Sequence, residues 1–383
     1  MARFLFVMLP IPSHIVPALA IGQALAAGGH DVAWCGAESD LRPLVGPDVT
    51  VYPTGKRSYR PNPGPGMEAM RKLWSGYMMP FNRFILETAD RAVAELRPDV
   101  AVVDQYALAG ALAAYRHGVR WASLCTGLLE LTPPTWELPG LPDLVRSHLA
   151  RAWAMAGLPA DEGIDLRFSP DLVIALSCRS LVGGAPLPPQ CVLVGPAIGR
   201  RPADPGFPWD FLDPGRRHLL ITVGTVFEHL AAGFYARMIA ALEPMADRPQ
   251  AVIIAPEDMV PDPPPDVLVA RRVPVLELMP RLDAVVCHGG TGTVNEALVH
   301  GLPLVAAPIQ GEQYWVARRL DRAGAGIEVS FPAATPAQLA AAVTAVLDEP
   351  GYRVQARRIG EELTAAGGAV AAAAHLGALA AGK

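Results

Sequence analysis

His288-Gly289-Gly290-Thr291-Gly292-Thr293 stands between the run Asp283-Ala284-Val285-Val286-Cys287 and a segment, Val294 to His300, that keeps helical spacing until Gly301. The order is a short buried strand, a glycine turn and a helix. N–H groups at a helix start have no partner inside the helix, and the helix dipole is positive there, so such a turn holds an anion without a metal. Gly289, Gly290 and Gly292 allow close approach, and His288, Thr291 and Thr293 add side-chain donors. Leu302 to Pro308 reads as the next strand, which puts Glu312-Gln313 in the loop at its carboxyl end, where ligands of open α/β sheets bind. A carboxylate beside an amide suits the hydroxyls of a polyol. Glu296 falls about two turns into the helix and is placed to take both hydroxyls of a ribose. The stretch reads as a pocket for the diphosphate and sugar of a nucleotide-activated sugar.

Outward from it, strand-like and helix-like segments alternate, the pattern of parallel sheets flanked by helices. In the first half Arg3–Leu9, Val32–Cys35, Val100–Val103 and Trp121–Leu124 read as strands, and Pro17–Ala27, Tyr77–Leu96 and Ala107–His117 as helices, with Pro17 in an allowed first-turn place. In the second half the strands are His218–Val223, Ala251–Ile254, Val267–Ala270, Ala284–Cys287 and Leu304–Ala307. Gly195 to Gly215 holds five prolines and reads as a linker. The expected organisation is a first domain over 1–195, a linker over 196–215, a second domain over 216–351 and a helical tail over 352–383 that packs back on the first.

The segment from Arg271 to Gly326 resembles the donor-binding signature of the family 1 glycosyltransferases, in its histidine, glycines, glutamate, prolines and Glu-Gln pair, and the amino terminus fits as well. Among them the chain looks most like bacterial members that act on small secondary metabolites or pigments. The resemblance implies an α/β fold of GT-B type, two Rossmann-like doubly wound parallel-sheet domains facing across a cleft. It implies a base at His14, in Pro12-Ser13-His14-Ile15-Val16-Pro17, where Ser13 replaces the family's glycine. Imidazole titrates near neutrality and can take the proton of an attacking hydroxyl. Asp104 ends an apolar strand on the same sheet edge and resembles the aspartate that supports the base; Asp99, at the opposite end, is the rival, and a helix cap is the other reading of Asp104. Gly224-Thr225 resembles a second diphosphate contact. Arg272 falls where relatives stack a tryptophan on the nucleobase, with Val273 backbone groups beside it, and Val316 replaces a frequent asparagine.

For the acceptor side, Ser13 with Trp74, Met78 and Phe81 are candidates, the last three from an aromatic and methionine cluster that an ordinary core patch explains equally. The Pro/Gly-rich segments Thr54–Gly66 and Thr132–Pro142 are candidate rims of the acceptor site. A net charge of −5 with no basic run excludes a nucleic-acid track. The five cysteines are scattered, which suits reduced thiols in a cytoplasm and no zinc site. No run of about 18 uncharged apolar residues is visible, so no membrane span is expected, and the Ala-rich tail comes closest. The expected partners are a nucleotide-sugar donor, uridine diphosphate favoured over thymidine diphosphate, and a small apolar acceptor, with no cofactor or metal and a monomer or homodimer. A nucleotide-sugar epimerase and a non-catalytic sugar-nucleotide-binding partner protein are the alternatives. An NAD oxidoreductase is disfavoured, since no full Gly-x-Gly-x-x-Gly follows a first strand.

Overall fold

The computed structural model of the chain describes residues 1–382 apart from 58–63, 65, 134–137, 162, 200–205 and 225. Two parallel sheets organise it. The first takes β1 (Arg3–Val7), β2 (Asp31–Gly36), β3 (Val51–Pro53), β4 (Val100–Asp104), β5 (Arg120–Cys125), β6 (Leu172–Ala175) and β7 (Cys191–Leu193), in the order β3-β2-β1-β4-β5-β6-β7. The second takes β8 (His218–Thr222), β9 (Gln250–Ile254), β10 (Val267–Ala270), β11 (Ala284–Cys287), β12 (Leu304–Ala306) and β13 (Gly326–Glu328), in the order β10-β9-β8-β11-β12-β13. Helices cover both faces, so central strands such as Phe4-Leu5-Phe6-Val7 and Val100-Ala101-Val102-Val103 are apolar throughout and buried.

Each sheet reverses its winding once, between β1 and β4 and between β8 and β11. The paired strands end level, with Val7 beside Val103 and Thr222 beside Cys287. The carboxyl ends at such a reversal leave a crevice where ligands bind. His14 and Asp104 flank the first crevice; Gly224 and His288 flank the second.

Several elements differ from the expectation. The first helix is Pro12–Ala27, so His14 lies in its first turn rather than in a turn before it, and Pro17 is inside the helix while Pro12 holds the first-turn place. The helix after the glycine turn is Thr291–Val299, three residues earlier than its apolar periodicity shows. Glu312 and Gln313 open the helix Glu312–Arg322 and are not loop residues. The helix expected from Tyr77 runs from 67 to 96, with a π-helical stretch over Lys72–Met78. Strands β3, β6, β7 and β13 were not anticipated.

The tail differs from a single expected helix. Among the described residues the helical stretch Pro350–Ala380 is long and apolar enough to cross a membrane, by length and composition. It is two helices, Pro350–Ala365 and Gly368–Ala380, broken at Gly367 and Gly368, whose φ values of 87° and 56° favour glycine. Pro350–Ala365 packs on Thr291–Val299 of the second half, and Gly368–Ala380 packs on Pro12–Ala27 of the first. The Gly368 N–H donates to the Val194 carbonyl at 2.6 Å, and Arg120 donates to the Ala380 carbonyl at 3.1 Å.

Candidate active site

The first half supplies a histidine held by a carboxylate. Asp104 ends β4 fully buried, and its Oδ2 is 2.6 Å from His14 Nδ1. Its other oxygen, Oδ1, accepts the Tyr106 N–H at 3.0 Å, so the carboxylate fixes its own turn and orients the imidazole at once. It caps no helix, because the helix Leu108–Arg116 is preceded by Ala107 with no side-chain cap. Asp99 lies at the far end of the sheet, where it accepts the Arg3 N–H. His14 is 14% exposed, and its Nε2 has no partner among the described residues. Burial pushes its pKa down, but the Asp104 carboxylate, with help from Glu312, outweighs that and raises it above that of a free imidazole.

The second half supplies the glycine turn. Gly290 precedes the helix Thr291–Val299 without a side-chain cap, leaving the first-turn N–H groups of Thr291, Gly292 and Thr293 unpaired within the helix. The His288 ring is held between two glycines: a Cβ at Gly224 would come within 2.7 Å of it, and one at Gly290 within 2.6 Å. Gly224 also has φ +71°. Burial drives the His288 pKa down to about 4 against the Thr222 carbonyl, so the ring is neutral at pH 7 and can donate one hydrogen bond. Thr225 lies outside the described residues. Glu296 is buried on the helix and has a partner.

Glu312 lies where the two halves meet. Its Oε1 accepts the Thr291 hydroxyl at 2.5 Å, the Leu128 N–H of the first half faces it, and its carboxylate packs on Gly127, where a Cβ would overlap it. Burial raises its pKa, opposed by Thr291 and His14. The Gln313 Oε1 accepts the Ile309 and Gln310 N–H groups at 2.9 and 3.0 Å, so the side chain holds the loop that precedes its helix. Other contacts join the halves: Trp315 Nε1 donates to Thr132 Oγ1 at 3.0 Å, Asn295 Nδ2 to the Leu176 carbonyl at 3.0 Å, and the Gly64 N–H to the Ile309 carbonyl at 2.9 Å. Gly64 and Thr132 belong to the two anticipated rim segments, parts of which (58–63, 65 and 134–137) lie outside the described residues.

The acceptor candidates fare differently. Trp74, Met78 and Phe81 are at most 3% exposed and belong to the core under the first sheet. Trp74 packs edge-on against Tyr106, and Tyr77 stacks on Phe81. They contribute packing, and no face of them is open to a ligand; Ser13 is exposed on the first helix turn. Arg272 is exposed, and the Val273 carbonyl accepts the Val275 N–H at 2.8 Å, which leaves one of its lone pairs open.

Sequence reading missed Thr126, whose Oγ1 is 3.0 Å from His14 Nδ1, and the buried Glu130, which pairs with Arg167 and accepts the Tyr106 hydroxyl at 3.5 Å. Position just after β5, at the sheet edge that bears His14 and Asp104, was the available signal for Thr126. No group of three potential metal ligands occurs among the described residues, and the five cysteines are free.

Residues 242–379 match the family model described as erythromycin biosynthesis protein CIII-like, C-terminal domain. The elloramycin glycosyltransferase ElmGT of Streptomyces olivaceus is 30% identical, over 73% of this chain and 68% of its own length. The 4'-demethylrebeccamycin synthase of Lentzea aerocolonigenes is 27% identical over 95% of this chain and 96% of its own. The crystal structure of the glycotransferase of kitacinnamycin superposes with a TM-score of 0.82 at 22% identity, covering 99% of each chain. With two doubly wound sheets and these relatives, the chain belongs to the bacterial natural-product glycosyltransferases, family 1 enzymes of the GT-B fold.

Proposed function

We propose that the protein is an inverting transferase that moves a sugar from a nucleoside diphosphate, uridine favoured and thymidine the alternative, to a hydroxyl of a small, mostly apolar acceptor. The observation that carries the reading is the His14–Asp104 pair on one sheet edge, with Glu312 and Thr291 of the other half facing it. Residues 1–195 hold the acceptor and 216–351 the donor, with 196–215 as linker and 352–383 as the clasping tail. Five free thiols suit a cytoplasmic setting.

In this mechanism the acceptor O–H gives its proton to His14 Nε2 as its oxygen bonds to the anomeric carbon. The bond from that carbon to the diphosphate oxygen breaks, and the nucleoside diphosphate leaves with the electron pair. Asp104 steadies the imidazolium. The leaving charge meets the N–H groups of Thr291, Gly292 and Thr293, with Gly224 and neutral His288 beside them, a preorganised electrostatic contribution to which Thr225 is assigned from the sequence. The donor sugar displaces the Thr291 hydroxyl from Glu312, and the Gln313 amide nitrogen lies next to it. Glu296 takes the ribose; Arg272 and Val273 meet the base. Water-free displacement by one nucleophile inverts the anomeric carbon.

Calorimetry against uridine and thymidine diphosphates, followed by mass analysis of products with and without acceptor, tests the reading. Sugar conversion without acceptor supports an epimerase, and binding without turnover a partner protein. His14→Ala is expected to lose roughly 10²–10⁴ in rate with donor binding kept. Unchanged turnover in that variant overturns the base.

A further inference from the structure

We propose that Thr126 is a positioning residue for the base, forming with Asp104 a two-acceptor cradle around His14 Nδ1; the inference rests on His14 being that base. Thr126 follows β5, the strand next to β4, and Asp104 is level with Leu124 in their register. Two residues beyond Leu124, the threonine reaches Nδ1 at 3.0 Å, while Asp104 reaches the same nitrogen at 2.6 Å. A carboxylate so close fixes the proton on Nδ1. Thr126 therefore accepts, and the Nδ1–H is shared between oxygens from two neighbouring strands. Asp104 alone already restrains the ring's broad second torsion; a second acceptor on the other side of the Nδ1–H narrows it further. Two acceptors set its plane, and so set the line along which the Nε2 lone pair points. A hydrogen bond accepted from the ring strengthens when the ring becomes a cation, so the hydroxyl also favours proton uptake. The other groups facing the ring are Glu312 from the second half and the Tyr106 ring, at 6.1 Å between centroids. Neither touches Nδ1.

The test uses the full chain labelled with ¹⁵N-histidine, with the His14 signals assigned by difference from His14→Gln. Thr126→Val removes the hydroxyl at nearly constant volume, and Thr126→Ser restores it. The expected result is a His14 titration, and an acid limb of kcat/KM with UDP-glucose or dTDP-glucose and a simple phenol, both displaced to lower pH in Thr126→Val. Its kcat at neutral pH is expected to fall roughly threefold to tenfold with the donor KM unchanged, and Thr126→Ser to return all of these. A merely structural threonine would lower the melting temperature and leave the titration in place, which would overturn the proposal. A loss confined to donor KM would also overturn it, by placing the hydroxyl on the sugar. Should Thr126→Val not fold, Thr126→Ala is read by the same titration. If His14→Ala keeps its turnover, the base reading fails; if His14→Ala is inactive and Thr126→Val behaves as wild type, only the present inference fails.

Discussion

His14 and His288 are two imidazoles that burial and neighbours drive in opposite directions. His14 is raised by Asp104, so below the 6.5 of a free imidazole its charge pair contributes fully to stability, and that contribution fades as pH rises through the higher folded value. Turnover follows the reverse, because only the neutral ring accepts a proton. The acid limb of kcat/KM is therefore expected above 6.5, and it should vanish with the residual rate in His14→Ala. His288, lowered to about 4 by burial, takes up its proton less readily than in the unfolded chain. Folding stability is thus expected to fall as pH drops from about 6.5 to about 4. Denaturant titrations across that window check it, and His288→Asn should flatten the slope; an equal slope in both proteins would refute the assignment. Glycine at 224 and 290 is the condition for this chemistry, since any side chain there would meet the ring.

At the scale of elements, the helix Thr291–Val299 depends on how closely Pro350–Ala365 approaches it. Gly360 faces the Leu298 carbonyl with no room for a Cβ. Gly360→Ala is expected to push the helices apart at a cost of about 1–3 kcal/mol and to weaken nucleoside diphosphate binding, read by thermal unfolding and calorimetry. Much of this architecture was legible in the sequence: β10 and β11 fall on their expected bounds, and Asp104 and His288 fall at the strand ends that apolar runs predict, while His14 lies in the first turn of the helix that follows β1. The errors have physical causes. Ile11, Gly290 and Gly311 precede their helices without a side-chain cap, so no Ser, Thr, Asp or Asn marked the starts. The strands β3, β7 and β13 are three residues long and half-buried at sheet edges, which blunts their apolar signal. The run Leu172–Ala175 is as apolar as its neighbours and was readable. Trp74, Met78 and Phe81 show that an apolar helix stripe identifies a core before it identifies a ligand. Contacts such as Thr126 to His14, 112 residues apart, exist only once strands are ordered into a sheet.

On the scale of the molecule, two similar sheets face each other through Glu312, Trp315, Asn295 and Gly64, and the tail ties them from behind. Removing residues 368–383 is expected to strip the helix that carries His14 of its cover while leaving the glycine turn intact. The shortened protein should bind nucleoside diphosphate with nearly full affinity and lose most of its kcat, with hydrogen exchange rising in Pro12–Ala27. Equal loss of binding would show that the tail serves both halves alike. The same arrangement bears on biosynthesis. Gly368–Ala380 leaves the ribosome only after every strand of both sheets has been made, so the half that begins translation waits longest for its covering helix. Its apolar flank, with Ala372 and Leu376 not yet in place, is open throughout that interval. A chaperone or the nascent second half must shield it, and on the proposed division of labour synthesis halted late would release a chain able to grip a nucleotide yet unable to pass on its sugar.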